Sequence, residues 1–270
     1  MKSAWAMNSS WAMSGWRAMP PLLTYLLRVA LGDRLFVAAA VLLVGSAALA
    51  AFIGSTALVE QAEFAAVCTA AAGRLLVVLT LVMFTCVHLR RAFDSSEIDW
   101  LLAQPISRRG FVLSYLTLLL LFATIASTVA GLAVVIVARP EWVAVGLWSF
   151  SLLIEASIVA AAALFFALML RSAVTSMLAC LGLYALARLL GLLSGIAAVR
   201  SHAGPLEMIL DQIMAGFVLV LPRLDLLAQS SWLVHGIDDS ADHITILLQG
   251  VVYLTVIGAA ATFDFRRLQL

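Results

Sequence analysis

The sequence predicts an all-α, polytopic membrane protein, and three observations predict it. The 270 residues are 64% hydrophobic and only 11% charged, far more apolar than a soluble core of that length requires. The apolar residues are gathered into runs of helix length, such as LFVAAAVLLVGSAALAAFIG at 35–54, and crossing a hydrocarbon core of ~30 Å takes about 20 such residues in a helix. Segments of strand length with alternating polarity, which would mark an outer-membrane barrel, are absent.

Taken in order, the runs long enough to span are 35–54, 69–89, 112–137, 143–170, 173–197 and 244–263. Six spans put both termini on one side. That side collects Lys2, Arg17, Arg28, Arg34, Arg90, Arg91, Arg108, Arg109, Arg171, Arg266 and Arg267, against Arg74, Arg139, Arg200 and Arg223 on the other. By the excess of basic residues in cytoplasmic segments, the termini are expected in the cytoplasm. Residues 1–34 form a cytoplasmic tail and an interfacial elbow helix, and 35–270 form the transmembrane domain. In the tail, Trp5, Trp11 and Trp16 recur in WAM, WAM and WRAM; the tail either anchors at the interface or hangs free, and no cleaved signal is expected. PPLLTYLLRVALGDRLF then spaces Thr24, Arg28 and Gly32 at i, i+4 among leucines, as in a helix lying in the headgroup plane.

Cys68, Cys86 and Cys180 show no CxxC spacing and are expected to pack inside the bundle. The four histidines are scattered, and no metal-ligand spacing is present. Lys2 is the only lysine and no GxxxxG pattern precedes it, so the GxxxxGK[ST] loop that binds ATP phosphates is not expected in this chain. No catalytic motif argues for an enzyme.

Between the second and third apolar runs lies FDSSEIDWLLAQPISRRGF, residues 93–111, where Asp94, Glu97, Asp99, Arg108 and Arg109 interrupt the apolar chain. Asp94 or Ser95 can cap a helix, with Glu97 completing the pattern and acids suiting the positive end of the dipole. Ile98, Leu101 and Leu102 share one face, and Pro105 ends the element. The expected result is a cytoplasmic amphipathic helix of about ten residues, ~15 Å long. Its apolar face suits a groove on another protein.

Two charges fall inside spans. Glu155 in the fourth and Arg188 in the fifth come at similar depth on helices separated only by Arg171 and Ser172. An isolated charge there costs between ~2.5 and ~17 kcal/mol, so an ion pair is expected. It either fixes the register of the two helices or lines a polar path through them. Gly191 and Gly195, in the small-xxx-small pattern GLLSG, allow close helix packing and mark a candidate dimer surface. The loop 199–243 is too short for a domain with its own core. Its residues 213–221 and 224–234 read as short helices on the outer surface, separated at Pro222.

The stretch RRAFDSSEIDWLLAQPISRRGFVLSYL resembles the loop between the second and third spans of the type-2 ABC exporter permeases, with its acidic start, Leu-Leu pair and P-[IV]-S-R sequence. LPRLDLLAQSSWLVHG at 221–236 is similar to the branch that includes copper-enzyme maturation permeases. The resemblance implies that 94–105 is the coupling helix, with Asp94, Glu97, Ile98, Leu101, Leu102 and Pro105 seating in a separate ABC ATPase. It implies two ATPase subunits and a second permease half, as a homodimer or heterodimer, in the bacterial inner membrane. An accessory periplasmic or membrane protein fits the branch, and no nucleic-acid partner is expected. No cofactor is expected in this chain, with ATP and Mg on the partner ATPase. Two other classes remain open from the residues alone. One is a non-transporting scaffold or assembly factor, which would tolerate loss of the coupling face. The other is an ion-coupled carrier or intramembrane enzyme using Glu155, which would need no ATPase.

Overall fold

The computed structural model describes residues 24, 25, 27, 28, 32–56, 61–95, 108–199, 216, 221–235 and 243–267. Long helices carry the architecture: α1 (Arg34–Thr56), α2 (Gln61–Asp94), α3 (Arg108–Ala138), α4 (Trp142–Met169), α5 (Ala173–Val199) and α6 (His243–Arg267). Among the described residues there is no strand. This is the architecture of an all-helical, multi-pass membrane protein, in which α1 to α5 are each long and apolar enough to cross a bilayer. In α6 the described side chains, Leu248–Asp264, form a predominantly apolar stretch.

The helix ends follow from local chemistry. Asp33 Oδ1 accepts from the Leu35 amide at 3.0 Å and so caps the start of α1. Thr24, Tyr25, Leu27 and Arg28 have helical backbone ahead of that cap, within the expected elbow helix. The α3 helix stops where Arg139 turns left-handed (φ 50) and Pro140 follows. Ser176 Oγ donates to Phe166 O at 3.2 Å and to Ser172 O at 2.9 Å, fastening the first turn of α5 to the last turn of α4.

Asp94 is the last residue of α2 rather than the first of a new helix. An acid at a helix C-terminus opposes the dipole, and Arg90, one turn earlier, offsets it with an ion pair of 2.5 Å. Ser95, the other expected cap, is the turn residue that follows. Glu97, Ile98, Leu101, Leu102 and Pro105 lie outside the described residues.

The core is α4, which packs against α2, α3, α5 and α6. A helix apolar on every side belongs at the centre of a bundle. Lipid tails are as apolar as leucine, so close van der Waals packing must hold these helices together. Ala156, Ala160, Ala161 and Ala163 on α4 are buried and keep it slim. Partner helices add glycines: a Cβ on Gly131 of α3 would collide with Ser149, and one on Gly250 of α6 with Ile154. The α1 helix is peripheral, touching α2 and α3 and leaving Val37, Val41, Val44 and Phe52 exposed. Where α1 begins, the rings of Phe36, Phe84 and Phe122 meet at 4.6 to 5.7 Å.

The segment before α6 departs from its expected form. A 3-10 turn, Leu224–Leu226, and a single α-turn, Trp232–His235, are separated by irregular backbone. In place of a second helix lying on the surface, Leu224, Leu227, Ala228, Trp232 and Leu233 are buried within the bundle. Ala228 breaks the helical path with a left-handed φ of 47. Residues 213–215 and 217–220 of the first expected surface helix lie outside the described residues.

Candidate functional site

Irregular backbone inside an apolar bundle is tolerated only where its N–H and C=O groups find partners. Here the partners are side chains of the long helices. The Ala228 amide donates to Ser151 Oγ at 2.8 Å. The Ala228 carbonyl accepts from Trp148 Nε1 at 3.3 Å and from Arg74 Nη1 at 3.1 Å. Arg188 Nη1 donates to the carbonyls of Leu224 and Leu227, the latter at 2.7 Å. Thus α2, α4 and α5 each send polar groups to one re-entrant loop, 221–234.

Depth explains why these residues converge. Arg74 and Glu155 each follow the first residue of their helix by thirteen positions, and Arg188 precedes the last residue of α5 by eleven. At ~1.5 Å per residue they lie at one level, about 17 to 20 Å from the same end of the bundle. Ser151, beside the Ala228 amide, is about 13 Å from that end, so the loop enters by more than two turns of helix.

Glu155 is fully buried. Its Oε1 accepts from Tyr184 OH at 2.9 Å, and its Oε2 lies 3.7 Å from Arg188 Nη1. At an effective dielectric near 20, unit charges at that distance attract by about 4 kcal/mol. Burial costs several kcal/mol per ion. The contact alone does not settle both charges, so Tyr184 and the loop carbonyls carry part of the load. Arg188 is therefore primarily a loop anchor, with Glu155 as its counter-charge.

The loop is locked sideways at Asp225. Arg223 Nη2 bonds Asp225 Oδ2 at 3.1 Å, and the Asp225 side chain fills the gap at Gly191, where an added Cβ would stand 2.9 Å from Asp225 Cβ. Gly191 thus has an intrachain reason to lack a side chain. Gly195 is helical, and its surroundings lie outside the described residues. Overpacking costs about 1 to 3 kcal/mol, so Gly191→Ala is expected to raise the population of unseated loop at least about fivefold. Limited trypsin digestion should register this as faster cleavage after Arg223. Gly182→Ala on the same helix, where a Cβ meets nothing within 4 Å, should leave the rate unchanged.

Of the site residues expected from sequence, Glu155, Arg188 and Gly191 come together here, and Asp94 lies on the last turn of α2. Arg74, Trp148, Ser151, Tyr184 and Ala228 were missed. Arg74 is counted from sequence only among the basic residues on the side opposite the termini, although it falls inside the apolar run 69–89. Trp148, Ser151 and Glu155 share a face at i, i+3, i+7, as do Tyr184, Arg188 and Gly191 at i, i+4, i+7; those two polar stripes were the available signal.

No protein-family model matches the chain, and no curated protein matches it.

Proposed function

We propose that this chain is the membrane-spanning permease subunit of an ABC exporter, driven by ATP hydrolysed on a separate subunit. The observation that carries the reading is the separation of two polar features. The end of α2 and the start of α3, with Arg90, Arg91, Asp94, Arg108 and Arg109, lie at one end of the bundle, and a loop-sealed polar centre lies toward the other. The first is suited to receive a partner, the second to open and close a path.

In this reading α6 is the sixth span, and the arginine-rich end faces the cytoplasm of a bacterial inner membrane. The loop 221–234 then closes the bundle from the opposite face. Residues 94–105 dock on the ATPase, two copies of which serve two permease halves. ATP and Mg belong to that partner. The substrate passes beside the loop when Arg74 and Arg188 release it.

Affinity purification of the tagged chain from its native membrane tests the proposal. A co-purifying polypeptide with a GxxxxGK[ST] loop, at one copy per chain, is the expected result. Purification to homogeneity with no ATPase, under conditions that keep other partners bound, would favour a scaffold or an ion-coupled carrier using Glu155.

A further inference from the structure

The groups that hold the loop are unusual in being nearly all donors. Arg74, Arg188 and the Trp148 indole N–H donate to the loop's carbonyls, and only Ser151 accepts, from the Ala228 amide; the Tyr184 phenol beside them donates to Glu155. What they hold is a set of three carbonyl oxygens, those of Leu224, Leu227 and Ala228. Three partly negative oxygens facing guanidinium groups match the way arginine receives a carboxylate or phosphate.

The charges left when the loop withdraws point the same way. Arg223 and Asp225 pair with each other and leave together. Arg74, Arg188 and Glu155 stay behind on α2, α5 and α4, with a sum of one positive charge. Arg74 Nε is buried without an acceptor, and Glu155 Oε2 makes no hydrogen bond, so the centre is not saturated even with the loop in place. An emptied centre with excess donors and one unbalanced positive charge recruits a monoanion.

We propose that this centre is the binding site for the anionic headgroup of an amphiphile, and that the loop carbonyls occupy it as a built-in substitute for the headgroup oxygens. The inference rests on the permease reading and adds to it a substrate class. The apolar part of the ligand follows from position. The guanidinium groups lie about three turns of helix from the end of the bundle, among apolar spans, so a fully hydrated small anion reaches them only by shedding its water on the way. A headgroup carried on a hydrocarbon tail keeps the remainder of the molecule in surroundings as apolar as itself. Loop and ligand compete, so apparent affinity is reduced by the fraction of time the loop is seated.

The test is equilibrium binding of radiolabelled dodecanoate to the full chain in phosphatidylcholine nanodiscs, with neither ATPase nor ATP present. Failure here therefore leaves the ATPase association untouched, and failure of that association leaves this result readable. Ala228→Pro opens the site, because proline fixes φ near −65° and has no N–H, whereas Ala228 has φ 47 and donates to Ser151. It should raise affinity about tenfold or more, with one ligand per chain. Arg188→Gln or Arg74→Gln added to it should abolish that gain. Dodecyltrimethylammonium should not compete, and inorganic phosphate should compete only weakly. Should Ala228→Pro fail to fold, Ser151→Ala loosens the loop more gently and should raise affinity about threefold. Trypsin cleavage after Arg223 reports loop release in each variant. Unchanged dodecanoate binding in a variant whose loop is released overturns the proposal, as does equal binding of the cationic amphiphile. Phosphate binding as tightly as dodecanoate would also overturn it, by making this a site for a free anion.

Discussion

Arg188→Gln is expected to destabilise the protein in detergent by about 3 to 5 kcal/mol, the cost of breaking a buried charged contact from one side. Two losses add. The Leu224 and Leu227 carbonyls lose a charged donor, and hydrogen bonds of that kind are worth about 1.5 to 3 kcal/mol. Glu155, fully buried, loses the cation 3.7 Å away. Glu155→Gln should cost clearly less, because the amide oxygen still accepts from Tyr184 and Arg188 keeps its two carbonyls. Combining the two should recover part of the Arg188→Gln loss, since no uncompensated carboxylate then remains. Denaturation of these four proteins and of the charge-exchanged variant in one detergent measures this. Equal losses for the two single variants, with full rescue by exchanging the charges, would indicate a simple ion pair and remove the loop-anchor role of Arg188.

The spans were legible because membrane physics writes them in length and composition: about 20 apolar residues leave few alternatives. Glu155 and Arg188 were legible as partners for a related reason. A charge inside an apolar run must be compensated, and a connection of only three residues makes α4 and α5 neighbours. What was not legible is the loop they serve. Nothing in LPRLDLLAQSSWLV marks it as buried rather than superficial, since an apolar segment at a membrane surface has the same composition. The decisive feature is tertiary: Ala228 adopts a left-handed φ with both backbone groups bonded to α2 and α4. A residue type gives no warning of that, as alanine ordinarily favours helix. Arg74 could have been recognised, because it stands inside a span where only a compensated charge survives. Asp94 stands at a boundary where two readings meet. An acid able to cap a new helix serves equally well as the i+4 partner of Arg90, and the ion pair carries α2 through to Asp94.

Replacing Leu101 and Leu102 together with alanine, in a complex reconstituted in vesicles with its ATPase, tests the transport reading most directly. In that reading the two leucines supply most of the docking area of the coupling helix, each worth about 1.5 to 3 kcal/mol when fully buried in the partner. Glu97 orients that helix, and Ile98 completes its face. The pair lies in the charged connection between α2 and α3, so insertion and the fold of the bundle should be unaffected. ATPase association should fall by about a hundredfold, taking the lower value for each leucine, and the hydrolysis that persists should no longer move substrate. Arg108→Ala, at the start of α3, should alter association far less, since a charge at that position chiefly holds the membrane boundary. The quantities to compare are subunit stoichiometry and hydrolysis rate, measured side by side with wild type. Loss of association with an intact bundle is the predicted result. A double-alanine variant that binds the ATPase and turns over like wild type would contradict it.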